Sequence, residues 1–219
     1  AQERAPIRFV VPYPAGGAAD QITRLVATAA APAWLSPALA LGQALRPTPS
    51  QTEGPYYPVA LPADTDADLL HNGTAAYGKG QAAWVTGTVT DTRGRPLAGG
   101  VIEIWQCDQD GHYHHPGDGG RADPAFQGFG KVTLGKDGRY RFRTLRPAPY
   151  SGRTPHIHVK VRLDGQELLT TQFYVQDDPG NAHDFLWRRL GEAGQAALTR
   201  PFVNGPDGFR ADYPVVVQA

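Results

Sequence analysis

From about residue 47 the chain is cut by glycine- and proline-bearing turn signals into short runs rich in β-branched and aromatic residues, and this spacing leaves little room for anything but a sheet protein. Candidate strands cover 84–90, 101–106, 128–134, 140–144, 156–162, 168–175 and 209–217. The turns Arg93-Gly94-Arg95-Pro96 and Lys136-Asp137-Gly138-Arg139 place glycine where hairpins need positive φ. One helix is expected over 184–198. In Val101-Ile102-Glu103-Ile104-Trp105 the alternation of apolar and polar residues is imperfect, as in a strand covered on both faces. The expectation is an all-β fold, a two-sheet antiparallel sandwich with a short helix in its C-terminal half and an irregular N-terminal arm.

Charge and cysteine content narrow the chemistry. Lysine plus arginine and aspartate plus glutamate stand at 21 each, so no net charge draws the chain to nucleic acid or an anionic membrane. A small neutral or weakly acidic partner fits better. With a single cysteine, Cys107, a thiolate zinc cluster cannot form within one chain, and a bound metal must take nitrogen and oxygen ligands. No stretch of eighteen apolar residues offers a membrane span. The sequence leaves open whether the chain forms a homo-oligomer.

One domain over residues 47–219 is expected, preceded by an arm over residues 1–46. Within the arm, residues 6–27 (PIRFVVPYPAGGAADQITRLVA) read as a strand, a Gly-rich turn and a helix start near Asp20, and resemble the beginning of tricarboxylate-transport solute receptors. Residues 24–41 carry Arg24, an apolar stretch and an Ala38-Leu39-Ala40 end, like a secretory signal peptide. The chain has no methionine and begins Ala-Gln, which fits removal of an initiator segment, so export to a periplasm or the exterior is the expectation.

Residues 85–106 (VTGTVTDTRGRPLAGGVIEIWQ) follow a strand, Asp-turn-Gly-x-Pro-Leu, strand pattern shared by prealbumin-like sandwich modules without catalysis, so a ligand-binding module is one reading. His156 and His158 supply another. Two apart in a strand, their side chains fall on one face with Cα atoms roughly 7 Å apart, a spacing that suits two ligands of one metal. No carboxylate is adjacent to complete a facial triad, though a distant one could, while Tyr150 lies six residues upstream across a Pro/Gly/Ser-rich turn. A phenol titrates near pH 10 and binds most divalent ions poorly, whereas a hard trivalent cation can displace its proton. Tyrosine ligation therefore points to Fe(III). The histidines His112, His114 and His115 flank Tyr113 in a Gly/Pro-rich loop without fixed facing geometry and are read as exposed or supporting residues.

The runs TPSQTEGPYYP (48–58), GHYHHPGD (111–118), RFRTLRPAPYSGRTPHIHVKV (141–161) and LLTTQFYV (168–175) resemble the core of the intradiol ring-cleaving dioxygenases, in consistent order over residues 48–217. The resemblance implies a prealbumin-like β-sandwich and one non-haem Fe(III) held by Tyr113, Tyr150, His156 and His158, with Tyr113 and His158 equatorial and Tyr150 and His156 axial. It implies that Arg153 stabilises negative charge developing on the substrate, that Gln172 lies near the reacting ring and Trp105 beside the iron, and that Gly54, Pro55 and Tyr56 line the substrate pocket. The partners it implies are O2 and a catechol-type substrate, opened to a cis,cis-muconate-type diacid. The Tyr150-to-His156 connection is shorter than in protocatechuate and catechol enzymes, and no helical dimerisation domain precedes the motifs, which implies a more open pocket.

Overall fold

The computed structural model describes residues 44–219, so the readings of 6–27 and 24–41 lie outside the described residues. Two five-stranded sheets carry the chain. The first is built on β3 (Ala82–Asp91), in which every second residue is buried, the period expected of a strand with one face in a core. Antiparallel β6 (Arg139–Leu145) flanks it on one edge, while β11 (Gly208–Asp212) and β12 (Val215–Val217) follow one another in parallel along the other. β10 (Val203–Gly205) lies outside β11. The second sheet runs β5 (Phe129–Thr133), β4 (Val101–Trp105), β7 (His156–Leu163), β8 (Gln166–Val175), β9 (Thr199–Arg200), antiparallel except at its β8–β9 edge. A small hairpin of β1 (His71–Asn72) and β2 (Ala75–Ala76) completes the strands.

The core lies between the sheets. Val85 and Val89 of β3, Phe142 of β6 and Val215 of β12 meet Ile102 and Ile104 of β4, Ile157, Val159 and Val161 of β7 and Phe173 of β8, all essentially without solvent contact. Burying each such side chain contributes about 1.5–3 kcal/mol. The second sheet is also covered on its far face, as the imperfect alternation at 101–105 led us to expect: His156, His158 and Lys160 are as buried as their core-facing neighbours. That second buried layer holds the candidate site.

Two predicted elements are split. The run 209–217 becomes β11 and β12 because Pro214 has no N–H to give a ladder, and Tyr213 is turned to donate its N–H to the Thr86 carbonyl and accept the Tyr140 hydroxyl (2.6 Å). The single helix over 184–198 is two, α1 (Phe185–Arg189) and α2 (Gly191–Leu198), because Gly191 sits at φ 65°, which a continuous right-handed helix excludes. Asp184 caps α1 by accepting from the N–H groups of Leu186 and Trp187.

Candidate metal centre

The register of the second sheet sets out the site's floor. On β7, His156 and His158 point to the face opposite the core, and His158 is paired across the ladder with Trp105 of β4 on one side and Gln172 of β8 on the other. The two tyrosines come from loops. Tyr113 is fixed by Asp118, whose Oδ2 accepts the Tyr113 N–H at 2.8 Å, and by Asp108, whose Oδ1 accepts the N–H groups of Asp110 and His112. Tyr150 opens a tight turn closed by the Arg153 N–H donating to its carbonyl (2.7 Å), with Ser151 and Gly152 both at positive φ.

These four side chains converge. Ring centroids lie 4.9 Å apart for Tyr113 and Tyr150, 5.3 Å for Tyr150 and His156, 4.7 Å for His156 and His158, and 5.9 Å for His158 and Tyr113. His156 Nδ1 faces the Thr154 carbonyl at 2.6 Å, and since a carbonyl only accepts, the proton belongs on Nδ1 and the lone pair on Nε2. That Nε2 stands 3.2 Å from Nε2 of His158. Two imidazole nitrogens at right angles on one ion, each about 2.0–2.1 Å away, would be about 3 Å apart, so the pair fits a shared metal.

Charge in this pocket is suppressed. Burial, with the nearby Arg153 guanidinium, lowers His156 to about 3, and burial lowers His158 well below its ordinary value, so both imidazoles are neutral at physiological pH. Burial raises the Tyr113 phenol well above its usual range, and its hydroxyl is enclosed without a hydrogen-bond partner. Burial raises Tyr150 also, with Arg153 working against it. Two neutral imidazoles and two phenols are thus brought together, nitrogen and oxygen donors that only a cation strong enough to expel the phenol protons could bind in full. Among the described residues no three His, Cys, Asp or Glu side chains gather into a metal-holding group, so a metal held here would need the tyrosines.

The remaining predicted residues surround it. Trp105 stacks on the His158 ring at 4.9 Å and 11°. Arg153 donates through Nε to Asp184 Oδ2 (2.6 Å) and through Nη2 to Gln172 Oε1 (2.7 Å), while Gln172 Nε2 donates to the Thr52 carbonyl. Gln172 is therefore bound up in orienting Arg153 and the 48–52 segment. Tyr56 stacks on Tyr113 (4.7 Å, 23°) and meets Tyr150 edge-on. Pro55 is exposed. His114 is exposed as expected, and His112 and His115 are partly buried beside Asp118 and Tyr56.

Gly54 approaches most closely. It lies at φ 76°, and a Cβ there would sit 3.2 Å from Cε1 of His158. Gly54→Ala is expected to cost about 1–3 kcal/mol through the backbone alone and to displace the His158 ring as well. Gly99, at φ 79° with nothing within 4 Å of a Cβ, supplies the control. Urea denaturation should show a loss for both alanine variants, larger for Gly54→Ala, whose Cβ also crowds His158.

Three residues take on their part only in the fold: Asp118 behind Tyr113, Asp184 behind Arg153, and Lys160, one alternation beyond His158 on β7. For Asp184 a signal exists, an Asp directly before a predicted helix start, but that reads as a cap and not as an arginine partner.

A family model described as Dioxygenase matches residues 52–189. The chain is 37% identical over 119 residues to the hydroxyquinol 1,2-dioxygenase of Corynebacterium glutamicum, taking in 46% of this chain and 38% of that protein. It is 35% identical over 134 residues to the protocatechuate 3,4-dioxygenase beta chain of Burkholderia cepacia, 56% of this chain and 57% of that one. The match thus spans less than two thirds of each of these relatives. Among solved structures, the dioxygenase domain of a dioxygenase carbohydrate-binding protein fusion from Streptomyces sp. SirexAA-E superposes with a TM-score of 0.64 at 31% identity, over 80% of this chain and 99% of that one.

Proposed function

The chain belongs to the intradiol ring-cleaving dioxygenase family, and from that premise we propose that residues 47–219 form a non-haem Fe(III) dioxygenase opening a catechol-type ring with O2 to a cis,cis-muconate-type diacid. The observation that carries this reading is the convergence of two tyrosine and two neutral histidine side chains, with the Tyr113 hydroxyl enclosed and unpartnered. Tyr113, Tyr150, His156 and His158 would hold the iron. The chemistry an iron held there would supply is that of a Lewis acid toward a catechol, making the ring reactive toward O2.

The chain's own residues do the rest. His156 Nε2, its tautomer set by Thr154, presents a lone pair without needing to lose a proton. Tyr150, at the rim and less buried than Tyr113, would as an iron-held phenolate be the group able to take up a proton at Oη as a catechol hydroxyl gives one away. Arg153, oriented by Asp184 and Gln172, holds a fixed positive charge where the substrate's oxygens become anionic. Trp105, Tyr56 and Tyr57 flank the site with aromatic surface. The signal-like stretch 24–41 supports export, and no helix among the described residues is long and apolar enough to cross a membrane.

Tyrosinate bound to Fe(III) absorbs in the visible. The iron-loaded protein should be red to burgundy, shift on anaerobic addition of catechol, and take up O2 with one or more of catechol, hydroxyquinol and protocatechuate. Tyr113→Phe and Tyr150→Phe should each weaken or shift that absorption. Unchanged spectra in both iron-loaded variants would remove the ligand assignment, and a colourless, iron-free protein after reconstitution would favour a non-catalytic sandwich that binds a ligand.

A further inference from the structure

Lys160 is a charged residue buried to 2% exposure on the same face of β7 as the two histidines, and the chemistry proposed above makes no use of it. Burying an ammonium is costly unless it is compensated, and here the compensation is specific. Its Nζ pairs with Glu53 and, at 3.1 Å, with Glu167, and it lies over the Tyr57 ring at 4.1 Å from the centroid. Tyr57 is itself held by donating its hydroxyl to Glu103 Oε2 at 2.8 Å and packs edge-on against Trp105, the ring stacked on His158.

Glu53 and Tyr57 are the two ends of one short segment. Between them lie Gly54, where an added Cβ would crowd the His158 ring, and Tyr56, stacked on Tyr113. One buried cation therefore grips both ends of the loop that roofs the candidate metal centre, by an ion pair at one end and a cation–π contact at the other. We propose that Lys160 is a positioning residue: it clamps residues 53–57 so that the loop closes over the site in a single conformation and presents Tyr56 and Gly54 to the incoming ring. The inference rests on the reading of the site as a catechol pocket, but the clamp can be tested apart from it.

The two carboxylates on Lys160 separate clamping from mere charge compensation. Glu53 and Glu167 are similarly exposed, at 43% and 44%, yet only Glu53 begins the loop, whereas Glu167 lies on β8. In full-length iron-loaded protein, Glu53→Gln should speed backbone hydrogen exchange at Gly54, whose N–H donates to Thr52 Oγ1, by about tenfold, the change that losing one charge-assisted hydrogen bond brings. The same variant should raise the Kd for catechol, read anaerobically from the tyrosinate absorption, by a similar factor and leave kcat within about twofold. Glu167→Gln should lower Tm comparably while leaving exchange in the loop and catechol affinity as in wild type. Lys160→Met should reproduce the Glu53→Gln exchange pattern. Equal effects of the two glutamine variants on loop exchange, or no effect of either, would overturn the clamp. Wild-type protein that fails to bind catechol at all would defeat the functional reading instead, and the exchange measurement would still decide the clamp.

Discussion

Arg153→Ala should lower kcat by about 10²–10³-fold, the usual consequence of removing one preorganised group that faces developing negative charge, while the iron-loaded protein keeps its colour. The colour should persist because Arg153 reaches the site by way of Gln172 and Asp184 and is not among the four converging side chains. A second effect must be separated from the first. Asp184 has no solvent exposure, and its ion pair with Arg153 at 2.6 Å is the pairing that keeps a buried carboxylate tolerable. Breaking such a pair from one side costs up to about 3–5 kcal/mol. Asp184 retains donors from the N–H groups of Thr154, Leu186 and Trp187, so the loss should fall toward the lower end of that range. The double variant Arg153→Ala, Asp184→Asn removes the unpaired charge and should recover part of the Tm. It should not recover turnover. If kcat returned together with Tm, Arg153 would be a structural residue and its role in charge stabilisation would have to be abandoned.

This coupling shows where sequence reasoning stops. The period-two pattern of a strand is local, so the shared face of His156 and His158 can be read directly from their spacing. The partners of that face are not local. Trp105 and Gln172 flank His158 only because the β4–β7 and β7–β8 registers bring them there, and nothing within their own segments sets that register. The tyrosines and Arg153 were located by resemblance to a family, and their convergence depends on two loops whose shapes are fixed by Asp108, Asp118 and Asp184, short-range caps with no metal-like pattern. Lys160 is a different case. A lysine two residues beyond a histidine in a strand reads as the start of a solvated face, and only the covering segment 53–57 makes it a buried cation with two carboxylates and an aromatic ring. The splitting of 184–198 and 209–217 had visible causes in Gly191 and Pro214, but a single glycine or proline is also compatible with a kink or an edge, and tertiary hydrogen bonds chose the break.

Withdrawing iron should destabilise the whole domain, because the enclosed Tyr113 hydroxyl has no hydrogen-bond partner to fall back on. The Tyr113 hydroxyl and His158 Nδ1 are buried without hydrogen bonds, and the two Nε2 atoms face each other at 3.2 Å. Since each buried donor or acceptor left unpaired costs about 1–3 kcal/mol, an ion taking up the Tyr113 oxygen and the facing nitrogens converts a local penalty into binding energy that the unfolded chain cannot obtain. At free iron about 100-fold above its dissociation constant, this linkage stabilises the folded state by about 2.7 kcal/mol. For a domain of this size each kcal/mol moves Tm by about 2–4 °C, so chelation should lower Tm by roughly 5–11 °C and readdition of Fe(III) should restore it. Calorimetry with and without a chelator measures the shift. Tyr113→Phe discriminates the cause: it deletes the enclosed hydroxyl, so the iron-free variant should be as stable as iron-free wild type or more so, while the increment on adding iron shrinks. Should Tyr113→Phe retain the full increment, the hydroxyl would not be a ligand, and its enclosure without a partner would need another explanation.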